Sequence, residues 1–145
     1  MPLLSDLLES GLIPGEPAGA LRHEWECLAL HACVRGLVAA CGFNVETAHS
    51  VDAFHEEVRA GWARESDGAE VEARSARAAE RHREYGALGQ AGGASGAATA
   101  PARIGAAAAR HLVRDRDPDP ALSELVAHLH ESIAEAATEM LRSRA

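Results

Sequence analysis

Near the end of the chain, apolar side chains recur every three or four residues without a break: Leu122, Leu125, Val126, Leu129, Ile133, Ala136, Ala137 and Met140. An α-helix turns once in about 3.6 residues, so this spacing lines them along one face and leaves the polar residues opposite. Pro120 suits a first turn, where its missing N–H leaves no bond unmade. Arg142 and Arg144 suit the negative end of the helix dipole. The spacing predicts a helix from Pro120 or Ala121 to Leu141, and a chain built around it must bury that face.

The same periodicity appears upstream. A helix is expected from Ala20 to about Ala40, with Leu21, Trp25, Leu28 and Ala32 on one stripe and Leu30, Val34, Leu37 and Cys41 on its neighbour. Two adjacent stripes make a broad apolar face, so this should be the most buried helix. Gly42 stands where a C-terminal cap belongs. A further helix, capped by Thr47 or Ser50, would carry Val51, Phe54, Val58 and Trp62, and Ser66–Asp67–Gly68 marks its end. Leu3 to Leu8 reads as a short helix, and Ala102 to Val113 as another, with Ile104, Ala108 and Leu112 on one side. Residues 69–85 favour helix but hold only Val71 and Tyr85 as large apolar groups, which predicts an exposed brace or a partly ordered arm and not a packed core helix.

Aromatics make up only 3% of the 145 residues. With few β-branched residues beside them, a sheet protein is disfavoured. The expected fold class is all-α: a small helical bundle of about four or five helices with a Gly/Ala-rich internal linker. Residues 1–85 form an N-terminal helical segment, 86–101 a flexible linker and 102–145 a C-terminal segment packed back on the first as one domain. Alanine buries little surface per residue, so the core should be modest and its helices close together.

A formal charge of -8 disfavours nucleic acid as a partner. Arg74, Arg77, Arg81 and Arg83 are interleaved with acids and read as a helix surface laced with ion pairs. The N-terminus lacks the pattern of a signal peptide, and no apolar run reaches membrane-spanning length, so no membrane partner and a cytoplasmic location are expected. Three cysteines, Cys27, Cys33 and Cys41, cannot all pair internally. The glycines between Gly86 and Pro101 lack the strand and lysine of a phosphate loop. Asp115, Asp117 and Asp119 lack the glycine and terminal glutamate of a calcium loop.

Two constellations offer metal chemistry. His23, Cys27 and His31 fall four apart on one helical face, and imidazole and thiolate both suit zinc. Each step climbs about 6 Å, however, so two neighbours can share an ion more readily than all three. Carboxylate–imidazole pairs three apart, His23 with Glu26, Asp52 with His55, and His128 with Glu131, are the raw material of a di-metal centre in a bundle, with zinc or iron as the cofactor. Glu80 and Glu84 with His82 add a further set, but the order is not the diagnostic one, and 22 acidic residues generate such pairs by chance. His128 is expected to be the histidine of the last helix at a core or interface. Cys27 is the one cysteine worth testing as a nucleophile, with a buried apolar role favoured.

The leading functional reading is a non-enzymatic helical assembly or protein-interaction module that self-associates as a homodimer or binds another protein. Its expected interface is Trp25, Trp62, Leu125, Leu129, Ile133 and Met140. The alternatives are a metal-binding bundle with oxygen-reactive or hydrolytic activity, and a small-ligand regulator with a pocket near Trp25, Trp62 or Tyr85.

Overall fold

The computed structural model describes residues 2–13, 19–90, 99–114 and 116–144. These form six helices: α1 (Pro2–Glu9), α2 (Gly19–Cys41), α3 (Val45–Glu65), α4 (Gly68–Gln90), α5 (Ala100–Leu112) and α6 (Pro120–Arg142). No strand occurs among the described residues. The chain is an all-α helical bundle, with more helices than the four or five expected. None of them is long and apolar enough to cross a membrane.

The caps follow local chemistry. The Asp119 carboxylate accepts from the Ala121 N–H at the start of α6, and Pro120 occupies its first turn. Thr99 Oγ1 accepts from Ala102 N at the start of α5, and Asp67 accepts from Glu70 N at the start of α4. Gly42 adopts φ +82° after α2, the left-handed conformation that a glycine cap supplies at little cost. The cap of α3 is Asn44, whose Oδ1 accepts from Thr47 N at 2.8 Å, not Thr47 or Ser50. Asn44 also donates to the Cys41 carbonyl at 3.0 Å, so one amide closes α2 and opens α3.

Helix α2 is the central element, packed against α3, α4, α5 and α6. Its buried positions, among them Glu24, Trp25, Cys27, Leu28, His31 and Ala32, run around much of the helix. The core joins Leu7, Trp25, Leu28, Tyr85, Ile104, Leu112, Leu122, Val126 and Leu129, so α5 and α6 share one interior with the N-terminal helices. Small residues let the helices approach: Gly36 of α2 and Gly105 of α5 both lie directly against α6.

Helix α4 departs from the sequence expectation. It runs five residues into the expected linker, to Gln90, and packs on α2 and α5 instead of standing off as a brace. Residues 91–98 of that linker lie outside the described residues. An apolar stripe does not hold α4. Fully buried Tyr85 and nearly buried Val71 anchor it, and ion pairs from Arg74 to Glu26 (2.7 Å) and from Arg81 to Glu24 (2.8 Å) fasten it to α2. Propensity and hydrophobic content could not show that charges would fasten this helix. Tyr85, which the sequence placed beside a flexible segment, is a core residue.

Candidate functional site

Helix α3 leans on α2 and α4 and little else. Thr47 is its only buried residue, and its apolar stripe, Val51, Phe54, Val58 and Trp62, stays half-buried. Between the three helices is a cleft of about 400 Å³, within the range of small-ligand sites. Cys27, Leu30 and His31 of α2 form one wall, and His55, Val58, Arg59 and Trp62 of α3 form another. Ser75, Ala78, His82 and Arg83 of α4 complete it, with Glu56 also on its lining.

Histidines dominate the polar part of this wall. His31 Nδ1 and His82 Nδ1 stand 3.0 Å apart, so the two rings must hold complementary tautomers, one donating its N–H to the other's lone pair. His82 also meets His55, with ring centroids 6.1 Å apart and planes near perpendicular. On its other side His31 stacks on His130 of α6 at 5.7 Å and touches Tyr85 at 5.5 Å. Four helices thus each contribute an imidazole to one interior series.

Burial favours the neutral form of His31, His82 and His130. His31 is pushed down to about 3, first by loss of water and then by the neighbouring His82, His130 and Arg35. His130 is lowered to about 4 by burial and by Arg35, against an opposing pull from Glu131. His82 is lowered by burial and by His55. Glu131 feels burial upward, but its hydrogen bond and ion pair with Arg35 and its contact with His130 carry it below the usual carboxylate range. Burial and nearby Glu24 push the Cys27 thiol up to about 12, so it stays protonated and is a poor nucleophile.

Trp62 carries the Arg74 guanidinium 4.7 Å from its ring centroid, a cation–π contact that joins α3 to α4 beside the cleft. Arg59 pairs with Glu72 across the same seam. Arg74, Arg77 and Arg81 all pair with Glu24 or Glu26 of α2, so ion pairs do lace this run, but Arg74 is buried in the α2–α4 seam and not on a solvated surface.

The structure separates most of the sequence-nominated metal residues. His23 faces Glu70 at 3.9 Å, and Glu26 is taken by Arg22 and Arg74. Asp52 and His128 are exposed, while Glu131 belongs to Arg35. Only Cys27, His31 and His55 of that set share the cleft. Among the described residues, no group of three or more His, Cys, Asp or Glu side chains is arranged to hold a metal ion. The physical reason is reach: His23, Cys27 and His31 are strung along the helix, Glu26 and Glu131 have arginine partners, and Asp52 faces solvent.

The nominated interface residues are also largely covered within the chain. Trp25 has no exposure and Leu129 only 5%. Leu125 and Ile133 pack against the core, leaving Met140 exposed and Trp62 half-buried. In α6 it is His130 that is wholly buried, not His128. His130 lies one turn beyond Val126 on the apolar stripe, a signal the sequence did contain. In the sequence His82 stands out only beside Glu80 and Glu84, because its actual partner lies 51 positions away.

The chain matches no known family model, no curated protein and no solved structure.

Proposed function

We propose that this chain is a non-enzymatic helical module that binds a small, largely apolar ligand in the cleft between α2, α3 and α4. One observation carries the reading. The stripes of α2, α5 and α6 contribute fully buried residues to the core, whereas Val51, Phe54, Val58 and Trp62 of α3 are only half-buried, and Val58 and Trp62 line a 400 Å³ recess. An apolar guest there would remove that surface from water, gaining roughly 25 cal/mol per Å². The buried thiol and neutral imidazoles beside it supply no activated nucleophile, which favours binding over turnover.

Calorimetric titration with naphthylmethanol, a neutral aromatic probe, tests this. Saturable binding at one site per chain is expected, and Ala78→Phe, which fills the recess from α4, should abolish it. Absence of saturable binding to the folded wild-type chain would defeat the reading.

A second reading, a protein-interaction or self-associating module, is favoured by the elbow between α2 and α3. Phe43 is 95% and Val45 71% exposed there. A concentration-dependent mass in light scattering that Phe43→Ser abolishes would support it, and a monomer at all concentrations would remove self-association.

A further inference from the structure

We propose that the cleft's ligand is an amphipathic carboxylate, an apolar body bearing one anionic headgroup, and that a proton is taken up with it. This rests on the cleft being a ligand site. Leu30, Val58, Trp62 and Ala78 offer the wall for the body. Arg83 and the imidazoles offer the headgroup its partners. Unlike the other arginines of α4 named above, Arg83 is exposed and has no ion pair or hydrogen bond among the described residues. Arg59, the other cation on the lining, is already held by Glu72. Glu56, on the same lining, is the one acidic side chain among the described residues that a bound carboxylate would meet there.

The His31–His82 pair supplies the proton site. In the tautomer in which His82 donates through Nδ1, its Nε2 carries a lone pair on the far side of the ring from His31. A proton taken from solvent at Nε2 leaves the Nδ1 bond intact and creates a second N–H. That group can donate a charge-assisted hydrogen bond to the carboxylate, so one proton enters with one anion and no covalent bond changes.

In the empty cleft little stabilises this cation. His31 faces His82 from α2 and His55 faces it from α3. Behind His31 stand Tyr85 of α4 and His130 of α6, the latter with Arg35 and Glu131, which pair with each other. On the α2–α4 seam, Glu24 is held by Arg77 and Arg81 beside the protonated Cys27 thiol. His111 of α5 is held by Glu84 and meets Tyr85. A bound carboxylate supplies the missing counter-charge.

The test compares naphthoate with naphthylmethanol, which share a body and differ in headgroup, by calorimetry at about pH 8 and about pH 6 in buffers of different ionisation enthalpy. Naphthoate should bind with uptake of about one proton and tighten by up to about tenfold per pH unit, while the alcohol shows neither effect. Arg83→Gln should weaken naphthoate several-fold, and His82→Gln should lose the proton uptake, with circular dichroism checking its fold. If His82→Gln does not fold, the wild-type buffer series and Arg83→Gln still decide. Binding of the alcohol alone, or of naphthoate with no proton uptake, overturns this inference and leaves the cleft reading standing. Failure of both probes overturns the cleft reading itself.

Discussion

Gly105 of α5 lies so close to Ala127 of α6 that a methyl group on the glycine would fall 2.6 Å from the alanine Cβ and 2.7 Å from the Ser123 carbonyl oxygen. Gly36 of α2 makes the matching approach, where a methyl would fall 2.5 Å from the Ala134 oxygen and 2.7 Å from the Ala137 Cβ. Helix α6 is therefore clasped from two sides by backbone. An alanine-rich interior gains dispersion contacts this way that its small side chains could not otherwise reach.

Gly36→Ala and Gly105→Ala are accordingly expected to destabilise the fold. Alanine is the better helix former by about 1 kcal/mol, but the added methyl would meet backbone and Cβ atoms that cannot move alone, and overpacking costs about 1–3 kcal/mol. Gly86→Ala is the control: it lies in α4 with nothing within 4 Å of the added methyl, so it should stabilise by up to about 1 kcal/mol. Urea midpoints of the three variants would show the opposite signs; equal stabilisation by all three would mean the helices are not in close contact.

Trp25 and Tyr85 are both fully buried, yet their polar atoms differ little from orphans: neither the indole N–H nor the phenol oxygen has a hydrogen-bond partner among the described residues. Tyr85→Phe removes an unsatisfied hydroxyl without a cavity and should be neutral or stabilising by about 1 kcal/mol. Trp25→Ala leaves a large void and should cost roughly 3–5 kcal/mol. Thermal denaturation of the two variants checks this, and a strongly destabilised Tyr85→Phe would reveal a hydrogen bond to that oxygen.

Stability should fall on mild acidification. His31 and His130 have folded values near 3 and 4, below the usual histidine value, so between that value and these the unfolded chain binds protons that the native chain refuses. Their contribution is complete above about pH 6.5 and declines as the pH drops towards 4 and then 3, with His82 acting in the same direction. At pH 5 each fully buried imidazole costs about 2 kcal/mol relative to neutrality. Glu131, a carboxylate held low, contributes above its unfolded value and is lost only at more acid pH. Urea midpoints that stay constant from about pH 7.5 to about pH 5 would contradict this burial.

The three free thiols should react in a fixed order. Cys41 is exposed, Cys33 is half-buried with its thiol pushed up by burial, and Cys27 is buried and held near 12. A disulfide reagent at about pH 8 should label Cys41 rapidly and Cys27 only after unfolding. Cys41→Ser should remove the fast phase; a fast phase that survives would place a reactive thiol elsewhere.

The helices themselves were legible because their signals are local. Three- and four-residue spacing announced α2 and α6, Gly42 closed α2, and Pro120 opened α6. The candidate site was legible only in fragments: Cys27, His31, His55 and Trp62 were singled out, but as members of other groupings. So were His82 and Arg83, but with Ser75 they come from α4, which the sequence expected to stand apart from this wall.

What the sequence determined by itself was the helical class and the position of its strongest apolar stripes, since backbone propensity and periodicity act over a few residues. Only the tertiary structure decided which polar groups meet. Arg81 finds Glu24 across 57 positions, and His31 finds His82 across 51. Such pairings depend on how helices rotate and slide against one another, and glycine contacts at α6 help to set that arrangement. The spacing within each helix leaves it open.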